Sequence, residues 1–467
     1  MNVVFCTSEV APYAKTGGMA DVCGSLPFAL AREGLQVSVV MPFYRTTQAQ
    51  NLSLIAATPG AAKLHVNGVD FYFIKHEAYF NRDGLYGTPS GDYGDNLERF
   101  SFFNKQIFQL LKEINCPPDI LHCHDWQTGL IPLYLKSHYR DDPFFQKTKV
   151  VLTIHNLAYQ GVFSRHRFAA LGLPAHLNSF QGLEYYGQIS LLKGGILFSD
   201  WVTTVSPQYA KEIQDRDCGR GLEGVMRLRA KDTIGILNGI DTEYWNPEKD
   251  TLIPEAYHSF DLAGKAKNKQ ALQEQCGLRV SSEIPLFGFV GRLSEQKGLD
   301  ILAQAMDEMM AHDVQLIFQG VGEERYEGML RHFQRRFPQK IAAQIKFDET
   351  LAHRIYAGSD FFLMPSIYEP CGLSQMISFR YGTMPLVHHT GGLVDTVMPF
   401  HLASAKGDGL VFTRFEKGAF VKAFESSLRV FQEKEIFQDV CKRIMKYDFS
   451  WNTSAMEYKK VYQKCIS

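Results

Sequence analysis

The sequence lacks several features that would assign it to a special class of protein. Its nine cysteines are scattered without a CxxC pair, which argues against a disulfide framework and a zinc cluster and favours a reducing compartment. A formal net charge of -1 gives no electrostatic reason to expect nucleic acid or an anionic membrane as a partner. No apolar run approaches the roughly 20 residues that span a bilayer, and no signal or transit peptide is evident. We therefore expect a cytoplasmic protein.

A chain of 467 residues is too long for one ordinary core and favours two domains of roughly 200 residues each. Short, nearly continuous apolar runs alternate with helix-period segments, as expected for parallel strands covered on both faces. The predicted strands of the first half are Asn2–Ser8, Gln36–Pro42, Asp119–Asp125, Lys149–Asn156, Trp201–Ser206 and Thr233–Gly239. Those of the second half are Pro285–Leu293, Gln315–Gly320, Ile341–Phe347, Phe361–Ser366, Met384–Thr390 and Gly409–Phe412. Between two further short strands, Asn67-Gly68 predicts a type I′ hairpin.

This alternation predicts an α/β protein with two doubly wound halves and a cleft between them. The polar stretch Asn246–Lys269 is rich in charge and poor in period, so we expect the hinge there, between domains 1–245 and 246–450. The final segment, 451–467, has the pattern of one amphipathic helix. Ligands of open α/β sheets bind beyond the carboxyl ends of the strands, so the candidate residues should follow the strands.

The strongest candidates lie at and just after the end of the predicted strand Pro285–Leu293. Arg292 can bind a phosphate through two N–H groups, and Lys297 adds a compact charge just before the next helix. A helix N-terminus also favours an anion. Two cations and a helix dipole suit a diphosphate leaving group without a metal. Taken alone, the pair is also compatible with a solvated basic loop.

Two more turns of the same half are ready to bind an anion or a sugar. Glu369 stands at a strand end before Pro370-Cys371-Gly372-Leu373, and Thr390-Gly391-Gly392 opens the helix after the next strand. Helix N-termini of this kind present unpaired N–H groups. Three such turns at successive strand ends indicate a binding site rather than packing.

The first half carries weaker signals. Lys15-Thr16-Gly17-Gly18 follows the first strand but is neither a GxGxxG nor a P-loop motif, so a nicotinamide or P-loop function lacks its fingerprint. His124-Asp125 and His155-Asn156 end two other strands. His122 and His124 share one strand face, but two histidines make a weak metal argument. The only DxD, Asp215-Arg216-Asp217, follows a helical pattern and is interpreted as a solvated helix end.

Together these residues resemble a known family, the bacterial glycogen synthases and plant starch synthases. The matching segments run in order along the chain and are Lys15–Gly18, His124–Trp126, His155-Asn156, Asn238–Asp241, Gly291–Leu293, Gln296–Gly298, Glu369–Leu373 and Thr390–Val397. The resemblance implies a GT-B fold, whose two Rossmann-like domains face each other across a deep cleft and close over a donor, usually ADP-glucose. It also implies that the C-terminal helix packs back on the N-terminal domain. Met19 and Ser374 are conservative departures, and Ile377 stands where the wider superfamily often has a second glutamate.

The resemblance implies the following roles. Arg292, Lys297, Glu369 and His155 form the catalytic set: the two cations neutralise the diphosphate, Glu369 contacts the glucosyl hydroxyls and His155 sits near the transferred glucose. The donor-binding set is Lys15, Gly17, Gly18, Asp21, Asn238, Tyr356, Cys371, Gly372, Leu373, Thr390 and Gly391, in which Tyr356 stacks on the nucleobase. Asp125 and Asn156 support the acceptor. No cofactor and no metal are expected.

The expected activity is retaining transfer of glucose from ADP-glucose to the non-reducing end of an α-1,4-glucan such as glycogen. Two alternatives stay open: another retaining GT-B transferase that uses UDP-glucose, and a catalytically silent glucan-binding regulator. Intact Lys15, Arg292, Lys297 and Glu369 argue against the silent protein. A dehydrogenase ranks third, because the dinucleotide fingerprint is missing. The sequence does not determine the oligomeric state.

Overall fold

Strands and helices alternate along residues 1–88 and 90–467, which this computed structural model describes. The strands are β1 (Asn2–Cys6), β2 (Gln36–Pro42), β3 (Ile55–Thr58), β4 (Ala61–Val66), β5 (Val69–Ile74), β6 (Gly87–Thr88), β7 (Gly91–Asp92), β8 (Ile120–His124), β9 (Lys149–Ile154), β10 (Val162–Ser164), β11 (Glu184–Tyr185), β12 (Gln188–Ser190), β13 (Trp201–Thr204), β14 (Thr233–Gly235), β15 (Leu286–Val290), β16 (Gln315–Gln319), β17 (Ile341–Gln344), β18 (Phe361–Met364), β19 (Met384–His388) and β20 (Leu410–Phe412). The helices are α1 (Gly18–Arg32), α2 (Arg45–Gln48), α3 (Glu77–Phe80), α4 (Asn96–Glu113), α5 (Ile131–Ser137), α6 (Leu191–Phe198), α7 (Pro207–Glu212), α8 (Arg216–Gly219), α9 (Glu223–Leu228), α10 (Ala263–Gln275), α11 (Leu299–Met310), α12 (Glu324–Arg336), α13 (Glu349–Gly358), α14 (Ser374–Arg380), α15 (Gly392–Thr396), α16 (Lys417–Gln432), α17 (Lys434–Ile444) and α18 (Trp451–Ile466). All twelve strands of the two predicted series are present.

The chain divides into two units. Unit 1 comprises Met1–Gly239 and Trp451–Ser467, and unit 2 comprises Ile240–Ser450. The division therefore falls earlier than the predicted boundary at residue 245. Ile240 belongs to unit 2 because it pairs with the end of that unit. It forms a parallel bridge with Ser450, and its N–H donates to the carbonyl oxygen of Phe449 at 2.8 Å.

A nine-stranded sheet lies at the centre of unit 1, in the order β14-β13-β9-β8-β1-β2-β5-β4-β3. The seven strands from β14 to β5 are parallel, and β4 and β3 are antiparallel. β4 and β5 are joined by Asn67 and Gly68 with φ of 47° and 83°, which confirms the type I′ hairpin. The parallel arrangement brings the carboxyl ends of β1, β8 and β9 to one edge of the sheet.

Unit 2 contains a six-stranded parallel sheet in the order β17-β16-β15-β18-β19-β20. Its strands are buried almost throughout, as expected when helices cover both faces. The carboxyl ends of β15, β18 and β19, after which the three predicted anion-binding turns begin, are neighbours at one edge.

The final helix, α18, belongs to unit 1, where it packs on α1 and β9. Its buried side chains recur every three or four residues, which is the period of an amphipathic helix; they are Trp451, Ser454, Ala455, Tyr458, Val461, Tyr462 and Cys465. Full burial of each large apolar side chain contributes about 1.5–3 kcal/mol. Apolar burial on this scale ties α18 firmly to unit 1.

Two expectations about irregular segments need correction. The predicted hinge Asn246–Lys269 contains the start of α10, whose Lys265 and Lys269 are buried. Lys265 donates to two backbone carbonyls and to Thr383, and Lys269 pairs with Asp360 at 2.7 Å, so these charges lie inside the fold. The DxD segment 215–217 is exposed, but it begins α8 rather than ending a helix.

Candidate functional site

The turn between β15 and α11 carries the two predicted phosphate-binding cations. Arg292 is exposed and Lys297 is partly buried. Gly298 ends the turn with a φ of +71°, and a Cβ there would lie 1.8 Å from the carbonyl oxygen of Pro365. Only glycine allows this approach, so the turn is fixed against the end of β18.

Lys297 is paired with Glu369. Nζ of Lys297 donates to Oε2 of Glu369 at 2.7 Å, and Oγ of Ser366 donates to the same oxygen at 2.8 Å. The side chains of Glu369 and Lys297 are 8% and 26% exposed. A hydrogen-bonded ion pair this well shielded fixes both groups at the carboxyl ends of β15 and β18.

The turn after β19 lies against the backbone that follows Glu369. A Cβ at Gly391 or at Gly392 would lie 2.0 Å from the carbonyl oxygen of Glu369 or of Cys371, respectively. The N–H of Gly392 donates to the carbonyl oxygen of Glu369 at 3.0 Å, and Thr390 is buried beside it. The second and third predicted turns are therefore neighbours in unit 2.

The loop Cys371–Leu373 is oriented by Gln375, which is fully buried. Nε2 of Gln375 donates to the carbonyl oxygens of Cys371 and Gly372 at 3.0 and 2.8 Å. Because a trans peptide places its N–H opposite its C=O, the N–H groups of Gly372 and Leu373 point away from Gln375. This is the orientation that donation to a bound oxygen requires.

Tyr356, which the sequence analysis predicts to stack on a nucleobase, lies on α13 among other aromatic rings. Tyr356 is only 3% exposed, and its ring stacks on Phe362 with centroids 4.9 Å apart. Trp245 covers it further, with ring centroids 5.6 Å apart. Its OH bonds to Oγ of Ser374 at 2.9 Å. Its place on α13 makes this tyrosine part of the core.

An exposed aromatic residue that the sequence analysis did not select is Phe347. It follows β17 at the carboxyl edge of the unit 2 sheet and is 80% exposed, which is unusual for a phenylalanine. Nε2 of Gln319, at the end of β16, donates to the carbonyl oxygen of the adjacent Asp348 and holds the loop. An aromatic residue that ends a predicted strand before a polar stretch was the signal that could have identified it.

In unit 1, the glycine turn after β1 is organised by Glu9. The buried carboxylate of Glu9 accepts from the N–H of Thr16 at 2.5 Å, from Oγ1 of Thr16 at 2.7 Å and from the N–H of Gly17 at 3.3 Å. Tyr86 donates to it as well. These backbone donors are thus already used by the protein. Lys15 pairs with Asp21 at 2.6 Å on the surface, next to Gly18 at the start of α1.

Asp125 and His155 lie together after β8 and β9. The N–H of His155 donates to Oδ1 of Asp125 at 2.7 Å, and Asn156 follows directly, its Oδ1 accepting from the N–H of Ala158. Asp125 has φ 55° and ψ -167°, a strained conformation for any residue but glycine. Burial raises the pKa of the Asp125 carboxyl to about 7 and lowers the pKa of His155 to about 3. The ring of His155 is thus uncharged at physiological pH, and the carboxyl of Asp125 is uncharged in the mildly acidic range.

One group of three potential metal ligands occurs in residues 1–88 and 90–467, namely Cys23, His124 and His155. His124 and His155 already share a hydrogen bond between ring nitrogens at 2.9 Å, and burial raises the pKa of the Cys23 thiol. Binding of a metal would require breaking that bond and deprotonating the thiol. His122, which the sequence analysis considered with His124, bonds instead to Thr153 and Tyr462.

The remaining predicted donor residue, Asn238, follows β14 in unit 1. It is 5% exposed, and its Oδ1 makes no hydrogen bond within the described parts of the chain. Among the described residues, none of the helices could cross a membrane.

Comparisons with known proteins connect these turns to one family. Residues 2–228 match the family model for the starch synthase catalytic domain, and residues 277–435 match that for glycosyl transferases group 1. A glycogen synthase from Syntrophotalea carbinolica is 42% identical over 480 residues, and one from Thermotoga maritima is 44% identical over 487 residues. Each alignment covers 100% of this chain and 99% of the relative. The chain belongs to the glycogen and starch synthase family.

The structural comparison agrees with this family. The catalytic domain of starch synthase IV from Arabidopsis thaliana, bound to ADP and acarbose, matches with a TM-score of 0.92 and 33% identity over 99% of each chain. A sucrose-phosphate synthase from Thermosynechococcus elongatus matches with a TM-score of 0.64 at 17% identity, which supports the fold alone. The expected GT-B fold and glycosyltransferase class are confirmed.

Proposed function

We propose that this member of the glycogen and starch synthase family transfers glucose from ADP-glucose to the non-reducing end of an α-1,4-glucan, with retention of configuration. The observation that carries the proposal is the Lys297–Glu369 pair, which joins the ends of β15 and β18 beside Arg292. It supplies a positive charge for a leaving diphosphate and a carboxylate for sugar hydroxyls in one place. The starch synthase structure that matches the whole chain was solved with ADP and acarbose.

In this proposal the chemistry rests on preorganised charge. As the bond between sugar and diphosphate breaks, negative charge develops on the phosphate oxygens. Arg292 and Lys297 stabilise this charge, and two unit charges about 4 Å apart near a protein surface interact by about 4 kcal/mol. The N–H groups of Gly372 and Leu373, together with the turn at Thr390-Gly391, add donors that need no reorganisation. No metal ion and no cofactor are required by this scheme.

The groups of unit 1 serve the sugar and the acceptor in this scheme. His155 lies near the transferred glucose, and Asp125 with Asn156 supports the acceptor hydroxyl. Lys15, Gly17, Gly18, Asp21 and Asn238 complete the donor-binding set. Phe347, whose ring is exposed, is proposed as a stacking partner of the nucleobase in addition to Tyr356. None of the nine cysteines, all of which lie in residues 1–88 and 90–467, forms a disulfide, which fits a reducing compartment, and we place the reaction in the cytoplasm.

A donor competition with glycogen as acceptor tests the proposal. Purified protein is incubated with glycogen and equal concentrations of ADP-glucose and UDP-glucose, each carrying a different isotope. We expect the ADP-glucose label to enter the polymer preferentially and to be released by an enzyme that cleaves α-1,4 links. Strict preference for UDP-glucose would disprove the donor assignment, and no incorporation from either donor would disprove the activity.

A further inference from the structure

His155 touches a second buried histidine that has no assigned role. Nε2 of His155 and Nδ1 of His124 are 2.9 Å apart, and the two rings lie edge to edge, with centroids 5.2 Å apart and an interplanar angle of 29°. His124 is 0% exposed and His155 is 9% exposed. A hydrogen bond between two ring nitrogens contains one proton, so one ring must donate and the other must accept.

The surroundings of His124 decide which ring donates. Its Nε2 is buried and has no hydrogen-bond partner among the described residues. If the proton were on Nε2, a buried N–H would be left unpaired, which costs about 1–3 kcal/mol. With the proton on Nδ1, the N–H is satisfied by His155 and only a lone pair is left without a partner. The second arrangement has the lower free energy, since buried N–H groups without an acceptor are rarer in proteins than buried acceptors without a donor.

The ring of His124 packs against two other rings, which also contact each other. Phe5 stacks on it with centroids 5.2 Å apart, and His122 contacts it at a centroid distance of 4.2 Å. His122 is itself fixed at both nitrogens, by Thr153 at 2.6 Å and by Tyr462 of α18 at 2.8 Å. Because burial keeps the pKa of His124 and that of His155 well below the ordinary value, both rings stay neutral at physiological pH.

We propose that His124 is a positioning residue for His155: its Nδ1–H donates to Nε2 of His155 and thereby keeps the proton of His155 on Nδ1. His155 then offers the substrate an uncharged N–H donor in one fixed orientation. This inference rests on the proposed role of His155 beside the transferred glucose. The partner of a histidine's second nitrogen commonly sets its tautomer in this way.

The tautomer can be measured directly. The full chain is labelled with ¹⁵N-histidine, and the His155 signals are assigned by their loss in His155→Gln. We expect the wild-type spectrum to show the proton of His155 on Nδ1. In His124→Phe, which keeps a ring packed against Phe5 and His122 but offers no donor, the Nε2–H form should appear. A wild-type proton on Nε2, or an unchanged spectrum in His124→Phe, would overturn the proposal.

Measurements of kcat distinguish a positioning role of His124 from a packing role. We expect His124→Phe to lower kcat by about 10–100-fold, as removal of an orienting hydrogen bond commonly does. His124→Asn places an amide N–H near the original Nδ1 and should restore most of this loss. Tyr462→Phe removes the hydroxyl on the far side of His122 and should change neither kcat nor the His155 spectrum. Equal loss in His124→Asn and His124→Phe would indicate a packing role and overturn the proposal.

The two hypotheses fail in different ways. If His155→Ala left glucan elongation unchanged, the proposed role of His155 would be wrong, yet the spectra would still decide its tautomer. If His124→Phe did not fold, the wild-type spectrum alone would decide, because a proton on Nε2 contradicts the proposal.

Discussion

Unit 2 presents its candidate groups as charges on glycine-fixed turns, whereas unit 1 presents two buried groups whose pKa values burial shifts in favour of the uncharged form. Lys297 and Glu369 are ionised partners held by close backbone contacts at Gly298 and Gly391. Asp125 and His155 are desolvated and joined through a backbone N–H. In the proposed function, the charged groups of unit 2 stabilise the leaving diphosphate, and the desolvated groups of unit 1 serve the sugar and the acceptor.

The strongest test of this comparison is Lys297→Ala. The variant removes one leaving-group cation and leaves the buried carboxylate of Glu369 without its partner, so kcat should fall by about 10²–10³-fold. Lys267→Ala is the matched control, because Lys267 pairs with Glu255 at 2.9 Å in the same unit but is exposed. Initial rates with ADP-glucose and glycogen measure both. Similar rates in the two variants would contradict the role of Lys297.

The glycine turns of the two units should respond differently to alanine. Gly391→Ala places a Cβ 2.0 Å from a backbone carbonyl at a φ of +49°, so we expect a loss of stability of about 3 kcal/mol or more. At Gly17, a Cβ would meet nothing within 4 Å and φ is -159°, so Gly17→Ala should cost less than about 1 kcal/mol. Urea denaturation compares them. Equal destabilisation would show that the glycines of the two units share one structural role.

The buried carboxyl of unit 1 should make stability depend on pH. Burial raises the pKa of Asp125 to about 7, so between pH 4 and 7 the unfolded chain loses a proton that the folded protein keeps. The contribution of Asp125 to stability should therefore fall as pH rises through this window, by about 2–3 kcal/mol between pH 5 and 7. Burial lowers the pKa values of His122, His124 and His155, which shifts stability in the opposite direction, so the contribution of Asp125 is measured as the difference between wild type and Asp125→Asn. Parallel pH profiles of denaturation for wild type and variant would contradict the assignment.

The smallest expected effect concerns the nucleobase. Phe347→Ala should raise KM for the donor by about tenfold, since stacking of a base on an aromatic ring contributes about 1–3 kcal/mol. The melting temperature should not change, because the ring is exposed. Tyr356→Phe, which keeps the buried ring and removes the bond between its OH and Ser374, is the control and should leave KM unchanged. An unchanged KM in Phe347→Ala would contradict the proposed stacking on Phe347.

The sequence predicted the sheet framework because buried parallel strands are continuous apolar runs. The prediction was wrong at α10, because two of its buried positions are the charged residues Lys265 and Lys269, which interrupt the apolar pattern of a helix. The roles of Glu9 and His124 were beyond prediction, since both depend on contacts between distant segments.

The return of α18 to unit 1 has a consequence for the order of events during synthesis. Unit 1 is begun first, yet Tyr462, which bonds to His122, is translated only after all of unit 2. Domains commonly fold as they leave the ribosome. Here unit 1 cannot complete its fold until unit 2 has been synthesised. Until then, the surface that α18 covers is exposed to water. We therefore expect nascent chains that stop near residue 450 to bind chaperones, although unit 2 is by then complete.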